Sequence, residues 1–338
     1  MCSKLATVVT LDAAHRVADM TPLPALADLL HSAHVCALPM RVKFRGITTR
    51  EVVIFDGPAG WGEFSPFAEY DDDESSSWLA AGIEAAYLGP PTPVRDVVEV
   101  NATVPAVPAE QVATVLARYE GATTAKVKVA EPGQTLSDDV DRVAAARDVV
   151  PNVRIDANGK WTVPQAIEAI AAIGEVQYVE QPCVSVEELA QVRRAVSVPI
   201  AADESIRRVH DPMRVVALDA ADIAVLKVAP LGGMRAVLRL AEQMTMPVVV
   251  SSALDSAVGI SAGVATAAAL PSLELACGLG TGTMFVDDVA EPFRPVGGTV
   301  SPRAVTPFGE LPLAAPDRDA WWRERLSRCY RVLAELPD

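Results

Sequence analysis

Histidine is scarce in this 338-residue sequence, and none of the four, His15, His31, His34 and His210, ends an apolar, strand-like run. That argues against a histidine general base and against a histidine-ligated metal. The five cysteines, Cys2, Cys36, Cys183, Cys277 and Cys329, are odd in number, scattered, and never spaced C-x-x-C. Neither a disulfide framework nor a structural zinc site is supported, and Cys183, with no nearby histidine, reads as a passive thiol. Positive charge is also short: 29 Lys and Arg face 44 Asp and Glu, for a formal net charge of -15. Such a surface repels nucleic acid and anionic lipid, so neither is an expected partner. No stretch approaches the roughly 20 unbroken apolar residues of a spanning helix, and the first 20 residues lack a basic start followed by a long apolar run. The chain reads as soluble, unexported and cytoplasmic, with its oligomeric state left open.

What the sequence has in quantity is apolar side chain, 50% of positions, enough for a large α/β core. Residues 1–20 read as a disordered leader, with Met20 a second candidate start. Residues 21–95 read as an α+β unit: a helix over 23–31, an antiparallel meander over 40–44, 51–56 and 61–64, an acidic loop over 71–74, a helix over 76–88 and a Gly-Pro break at 89–93. Over 96–285, β-branched runs alternate with helical periods, with strands expected at 100–106, 123–129, 153–158, 177–182, 199–204, 223–229, 247–253 and 274–280. Eight strands and seven helices predict a (β/α)7β modified TIM barrel. Beyond residue 285 the alternation stops. Residues 286–338, ending in a helix that carries Trp321-Trp322, are expected to return to the amino-terminal unit and complete an α+β capping domain.

In such a barrel the chemistry sits at the carboxyl ends of the strands. Those ends read Lys126-Val127-Lys128, Asp156-Ala157-Asn158, Val179-Glu180-Gln181-Pro182, Ala202-Asp203-Glu204-Ser205 and Leu226-Lys227-Val228. From Lys128 through Asp156, Glu180 and Asp203 to Lys227 the steps are 28, 24, 23 and 24 residues, each one strand-helix unit. Alone, a K-x-K is ordinarily a solvated strand edge and an Asp after a strand is often a helix cap. Five ionisable groups at one barrel depth favour a site instead. Three adjacent carboxylates would be costly to bury as bare anions, and all-oxygen ligation favours Mg²⁺, then Mn²⁺. Lys128 and Lys227 fall on strands four apart in a ring of eight, so they face each other across the mouth. The assembly suits proton abstraction next to a carboxylate, with Lys126 and the metal lowering the pKa of the neighbouring Lys128.

Other features admit two readings. Ser251-Ser252 ends the seventh strand facing the mouth, or is a satisfied hydroxyl pair. Gly232-Gly233 opens a helix whose amides are available to an anion, or is only a tight turn. Gly278-x-Gly280-x-Gly282 matches neither a P-loop nor a dinucleotide fingerprint.

Taken together, these motifs resemble the muconate-lactonising subgroup of the enolase superfamily from about residue 40 to 288. The resemblance implies the barrel and cap above and one Mg²⁺ on Asp156, Glu180 and Asp203. The segment Pro39-Met40-Arg41-Val42-Lys43-Phe44-Arg45-Gly46-Ile47-Thr48-Thr49-Arg50-Glu51, with Gly60-Trp61-Gly62-Glu63-Phe64, is similar to the actinobacterial o-succinylbenzoate synthases. That likeness implies a lyase of menaquinone biosynthesis acting on a small dicarboxylate. It would carry out syn dehydration of 2-succinyl-6-hydroxy-2,4-cyclohexadiene-1-carboxylate through an enediolate. Lys128 would serve as base and then acid, and Lys227 as a protonated stabiliser. Arg50, Asn158, Ser251, Ser252 and Gly232 are the implied substrate contacts, with 44–50 and 61–67 setting specificity. The alternative within the superfamily is an N-succinylamino acid racemase or dipeptide epimerase. Against the dipeptide version, Val286-Asp287-Asp288-Val289 stands where a D-x-D is expected. A non-catalytic barrel is disfavoured by the intact lysines and carboxylates.

Overall fold

The computed structural model describes residues 23–335 except Arg45 and 207–210. The expected leader over 1–20, with His15, lies outside the described residues, as does His210. After helix α1 (Leu26–Ser32), strands β1 (His34–Phe44), β2 (Ile47–Gly57) and β3 (Gly60–Phe64) form the antiparallel meander in the order β1-β2-β3. Val52, Val53, Ile54 and Phe55 of β2 are all buried, because α1 and helix α2 (Asp72–Tyr87) both pack against the strand. Residues 71–74 are not a loop. The Asp71 side chain accepts from the Glu74 amide at 2.8 Å as the amino cap of α2, and Asp72, Asp73 and Glu74 form the first turn. Carboxylates there meet the positive end of the helix dipole. The meander and α2 touch backbone to backbone: a Cβ on Gly62 would lie 2.1 Å from the Gly82 oxygen.

The barrel strands are β5 (Ala102–Val104), β6 (Thr124–Lys128), β7 (Asn152–Asp156), β8 (Val179–Glu180), β9 (Ile200–Ala202), β10 (Ile223–Leu226) and β11 (Val248–Val250). They form one parallel sheet in sequence order. The eighth strand expected at 274–280 is reduced to two parallel bridges, Val100 with Cys277 and Ser251 with Gly278. Amides at Asn101, Cys277, Ser252 and Gly278 still complete the ring between them. A 3-10 turn at Thr281–Met284 redirects the chain directly afterwards.

Seven helices cover the sheet: α3 (Val112–Leu116), α4 (Leu136–Arg147), α5 (Val163–Ile173), α6 (Val186–Ala195), α7 (Asp211–Ala217), α8 (Met234–Gln243) and α9 (Ala257–Ala269). Thr135 caps α4 through a reciprocal box with Asp138, and Ser185 with Glu188 does the same for α6. Alternation along each strand divides the core. Ala125 and Val127 of β6 pack under the helices, while Tyr178, Ala201, Ile223, Val225 and Val249 fill a separate cluster.

Among the described residues no eighth barrel helix follows. The chain instead pairs Phe285 with Met40 of β1. It then pairs β12 (Thr299–Val300) with β4 (Val98–Glu99) and ends in α10 (Pro316–Ala334) against α2. Arg318 of α10 binds the Glu51 carboxylate, and Arg325 donates to the Phe67 oxygen at 2.9 Å and to Ser75 Oγ at 2.8 Å. Among the described residues no helix is long and apolar enough to cross a membrane.

Candidate functional site

Because Ala125 and Val127 face the helices, Lys126 and Lys128 must face the other way. The register then aligns the ionisable residues at one level, with Lys128 opposite Asp156, Asp156 opposite Glu180 and Glu180 opposite Ala201. Asp156 and Glu180 are fully buried and Asp203 is 1% exposed. Lys126 Nζ lies 2.8 Å from Glu180 Oε1 and 3.5 Å from Asp156 Oδ2. Lys128 Nζ donates to Asp156 and, at 2.9 Å, to Asn158 Oδ1. Lys227 Nζ donates to Asp203 Oδ2 at 2.7 Å.

Burial and the Asp156 charge push the Glu180 carboxyl up to about 7 against the pull of Lys126. For Asp156, burial also raises the pKa, but Lys128 and Lys126 outweigh it and hold the carboxyl well below its ordinary range. Burial would lower the Lys126 ammonium, yet Glu180 and Asp156 overcome that and raise it. Adjacent carboxylates, rather than a neighbouring ammonium, therefore dominate at Lys126.

Lys126, Lys128, Asn158, Lys227, Ser251 and Ser252 share one cleft at the barrel mouth. Phe44, at the end of β1, closes over it with its ring 5.3 Å from Lys128 Nζ. Four further walls escaped the sequence reading: Thr103, Ala253, Leu254 and Thr281. Thr103 pairs in register with Lys126, and its buried hydroxyl has no hydrogen-bond partner. Thr281 Oγ1 lies 2.6 Å from Ser252 Oγ. Strand-end periodicity singles out Thr103, but nothing in the sequence marks the turn that presents Thr281.

Two expected contacts are absent from the cleft. Arg50 is buried and donates Nε to the Leu254 oxygen at 3.1 Å and Nη2 to the Ser65 oxygen, with its guanidinium 4.4 Å from the Phe67 ring centroid. Gly232 precedes α8, but the anion at that amino end is internal. Glu84 of α2 accepts from the Arg235 amide at 3.1 Å and from Arg235 Nη1 at 2.7 Å. Asp288 is likewise committed, accepting from the Ala257 amide at 3.0 Å and the Val289 amide at 2.7 Å.

Gln181 organises the strand ends. Its Oε1 accepts from the Asp203 and Ser205 amides at 3.0 and 3.2 Å, and its Nε2 donates to Ser205 Oγ and the Cys183 oxygen, each at 2.8 Å. Asn158, Gln181 and Leu254 all have positive φ, at 48°, 40° and 65°. Left-handed backbone costs a non-glycine residue about 1–2 kcal/mol, so surrounding bonds must hold these turns open. Cys183 is fully buried and its thiol is pushed up to about 11 by burial, as befits a passive side chain.

Among the described residues no three His, Cys, Asp or Glu side chains gather at metal-ligating spacing. A cation on Asp156, Glu180 and Asp203 therefore requires their oxygens to turn away from the three lysines. In charge and donor type the set still fits a hard divalent ion. All donors are carboxylate oxygens, all three groups are buried, and Asp156 and Asp203 each raise Glu180.

The family description "Enolase C-terminal domain-like" matches residues 109–307, and "Enolase N-terminal domain-like" matches residues 35–86. The o-succinylbenzoate synthase of Mycobacterium marinum is 59% identical over 321 residues, covering 93% of this chain and 98% of that protein. That of Mycolicibacterium smegmatis is 59% identical over 317 residues, covering 92% and 99%. Among solved structures, muconate lactonizing enzyme from Pseudomonas putida superposes with a TM-score of 0.67 at 21% identity, over 86% of this chain and 97% of that one. An N-succinyl Arg/Lys racemase from Bacillus cereus gives 0.65 at 18%, over 86% and 96%. At such identities the two structures establish the fold alone.

Proposed function

The chain belongs to the enolase superfamily, within it to the family of the mycobacterial o-succinylbenzoate synthases, and from that premise we propose that it is a cytoplasmic dehydratase of menaquinone biosynthesis. It converts 2-succinyl-6-hydroxy-2,4-cyclohexadiene-1-carboxylate to 2-succinylbenzoate. The observation that carries this reading is the placement of Lys128 and Lys227 in one cleft, on strand ends four apart, with buried carboxylates between them.

Lys128 Nζ, in its neutral form, takes the proton from the carbon bearing the carboxylate. The electron pair moves into an enediolate. As that pair returns to the ring, the carbon–oxygen bond on the same face breaks, and Lys128 gives its proton to the departing hydroxide to form water. Asn158 Oδ1, 2.9 Å from Lys128 Nζ, orients that amine. Lys227 keeps its proton and supplies fixed positive charge from the opposite side. Asp156, Glu180 and Asp203 would hold Mg²⁺, with Mn²⁺ as a substitute, which when bound supplies positive charge beside the substrate carboxylate. Ser251, Ser252 and the unpartnered Thr103 hydroxyl, all lining the cleft, would receive the uncharged parts of a small dicarboxylate. The cap comprises residues 21–95 and 286–338, and the barrel residues 96–285.

Purified protein with Mg²⁺ should convert the hydroxycyclohexadiene carboxylate to 2-succinylbenzoate, followed by chromatography of the product. No product, together with washout of α-deuterium from an N-succinylamino acid, would replace the dehydratase with a racemase.

A further inference from the structure

Two carboxylates from outside the barrel enter the amino end of α9. Glu63 of β3 accepts from the Ser256 amide at 3.1 Å, Ser256 Oγ at 2.5 Å and the Gly259 amide at 3.0 Å, while its other oxygen accepts from Ser65 Oγ at 2.6 Å. Asp288 takes the Ala257 amide. Three residues upstream of that helix end, Arg50 holds the Leu254 oxygen. Residues 251–256 are thus gripped from the cap, and four of them, Ser251, Ser252, Ala253 and Leu254, line the mouth. The close approach depends on glycine, since a Cβ on Gly259 would lie 2.7 Å from Asp255 Cβ and 3.0 Å from Glu63 Oε2.

We propose that Glu63 is a positioning residue, the cap side chain that fixes the seventh-strand wall of the active site and makes its geometry depend on the seating of the cap. Glu84 provides the internal contrast. It reaches from the same cap to the amino end of the neighbouring helix α8, but no residue from 228 to 235 lines the mouth. Both glutamates fasten cap to barrel, and only Glu63 fastens a wall of the cleft.

The activity readout rests on the dehydratase reading. Glu63→Ala should lower kcat about 10- to 100-fold, the usual cost of losing an orienting contact. Amide exchange across 251–259 should quicken. Glu63→Gln, whose amide oxygen still accepts from Ser256 and Gly259, should recover most of the rate. Glu84→Ala should lower Tm yet keep kcat within about twofold. Wild-type kcat in Glu63→Ala, or an equal loss of kcat in Glu84→Ala, overturns the proposal. Should Glu63→Ala fail to fold, Glu63→Asp shortens the reach by one methylene, and wild-type kcat in that variant is equally fatal. If wild-type protein does not dehydrate the substrate, the dehydratase reading alone falls. The same variants are then compared by deuterium washout from an N-succinylamino acid.

Discussion

Lys227 sits within an apolar strand end and meets the Asp203 carboxylate, while Lys128 meets Asp156 and Asn158. Strand periodicity and the recurring interval were enough to locate these residues in the sequence, because a strand end has only two directions in which to point a side chain. Arg50 and Gly232 were not placed by such a rule. They lie outside the repeat, and whether a guanidinium points into a cleft or onto backbone carbonyls depends on the neighbouring loop, here 251–256. Lys128→Ala and Lys227→Ala should each reduce kcat by about 10³-fold or more, with the far-ultraviolet circular dichroism unchanged. Either variant retaining a tenth of wild-type turnover would remove its lysine from the mechanism. Asp203→Asn should weaken Mg²⁺ binding, read by titration calorimetry, at least tenfold, since it replaces an anionic ligand with a neutral one. Unchanged affinity would reject that ligand.

At the scale of elements, the seven strands of the parallel sheet were legible, and the reduction of the segment that closes the ring between β5 and β11 was not. The first seven barrel strands follow their β-branched runs. The eighth survives only as the bridges at Cys277 and Gly278, because its role is to close a ring that other strands already shape. The acidic run 71–74 was read as solvated loop, although one aspartate before three acids is also how a helix begins. Gly62 and Gly82 tie β3 to α2 in a way no periodicity reveals, as each matters only for what lies opposite. Gly62→Ala should cost about 2–3 kcal/mol of unfolding free energy in urea, because a Cβ 2.1 Å from a carbonyl oxygen forces the meander off the helix. An unchanged midpoint would mean that this contact yields without cost.

For the whole molecule, the surplus of acids acquires a pH signature from a few buried members. Burial and the Glu63 charge push Asp255 up to about 7, burial pushes Asp288 up to about 6, and burial with Asp156 pushes Glu180 up to about 7. An unfolded chain would ionise all three near 4. Each therefore binds its proton more tightly when folded, so the stability it contributes is fully present below about pH 4 and is lost as pH rises through 6 to 7. The carboxylates with lowered pKa, such as Asp156 and Glu51, are ionised in both states across that window and add no slope there. Without divalent metal, the urea midpoint should consequently fall between pH 5 and pH 8. Asp255→Asn keeps an oxygen for the Ala253 amide, which now donates to Asp255 at 3.0 Å, while removing the charge. It should flatten the fall and leave the midpoint at pH 8 above that of wild type. A midpoint that rises with pH in the wild type, or a variant as steep as the wild type, would show that Asp255 ionises in the folded protein at no cost, and that the junction between meander and barrel tolerates its full charge.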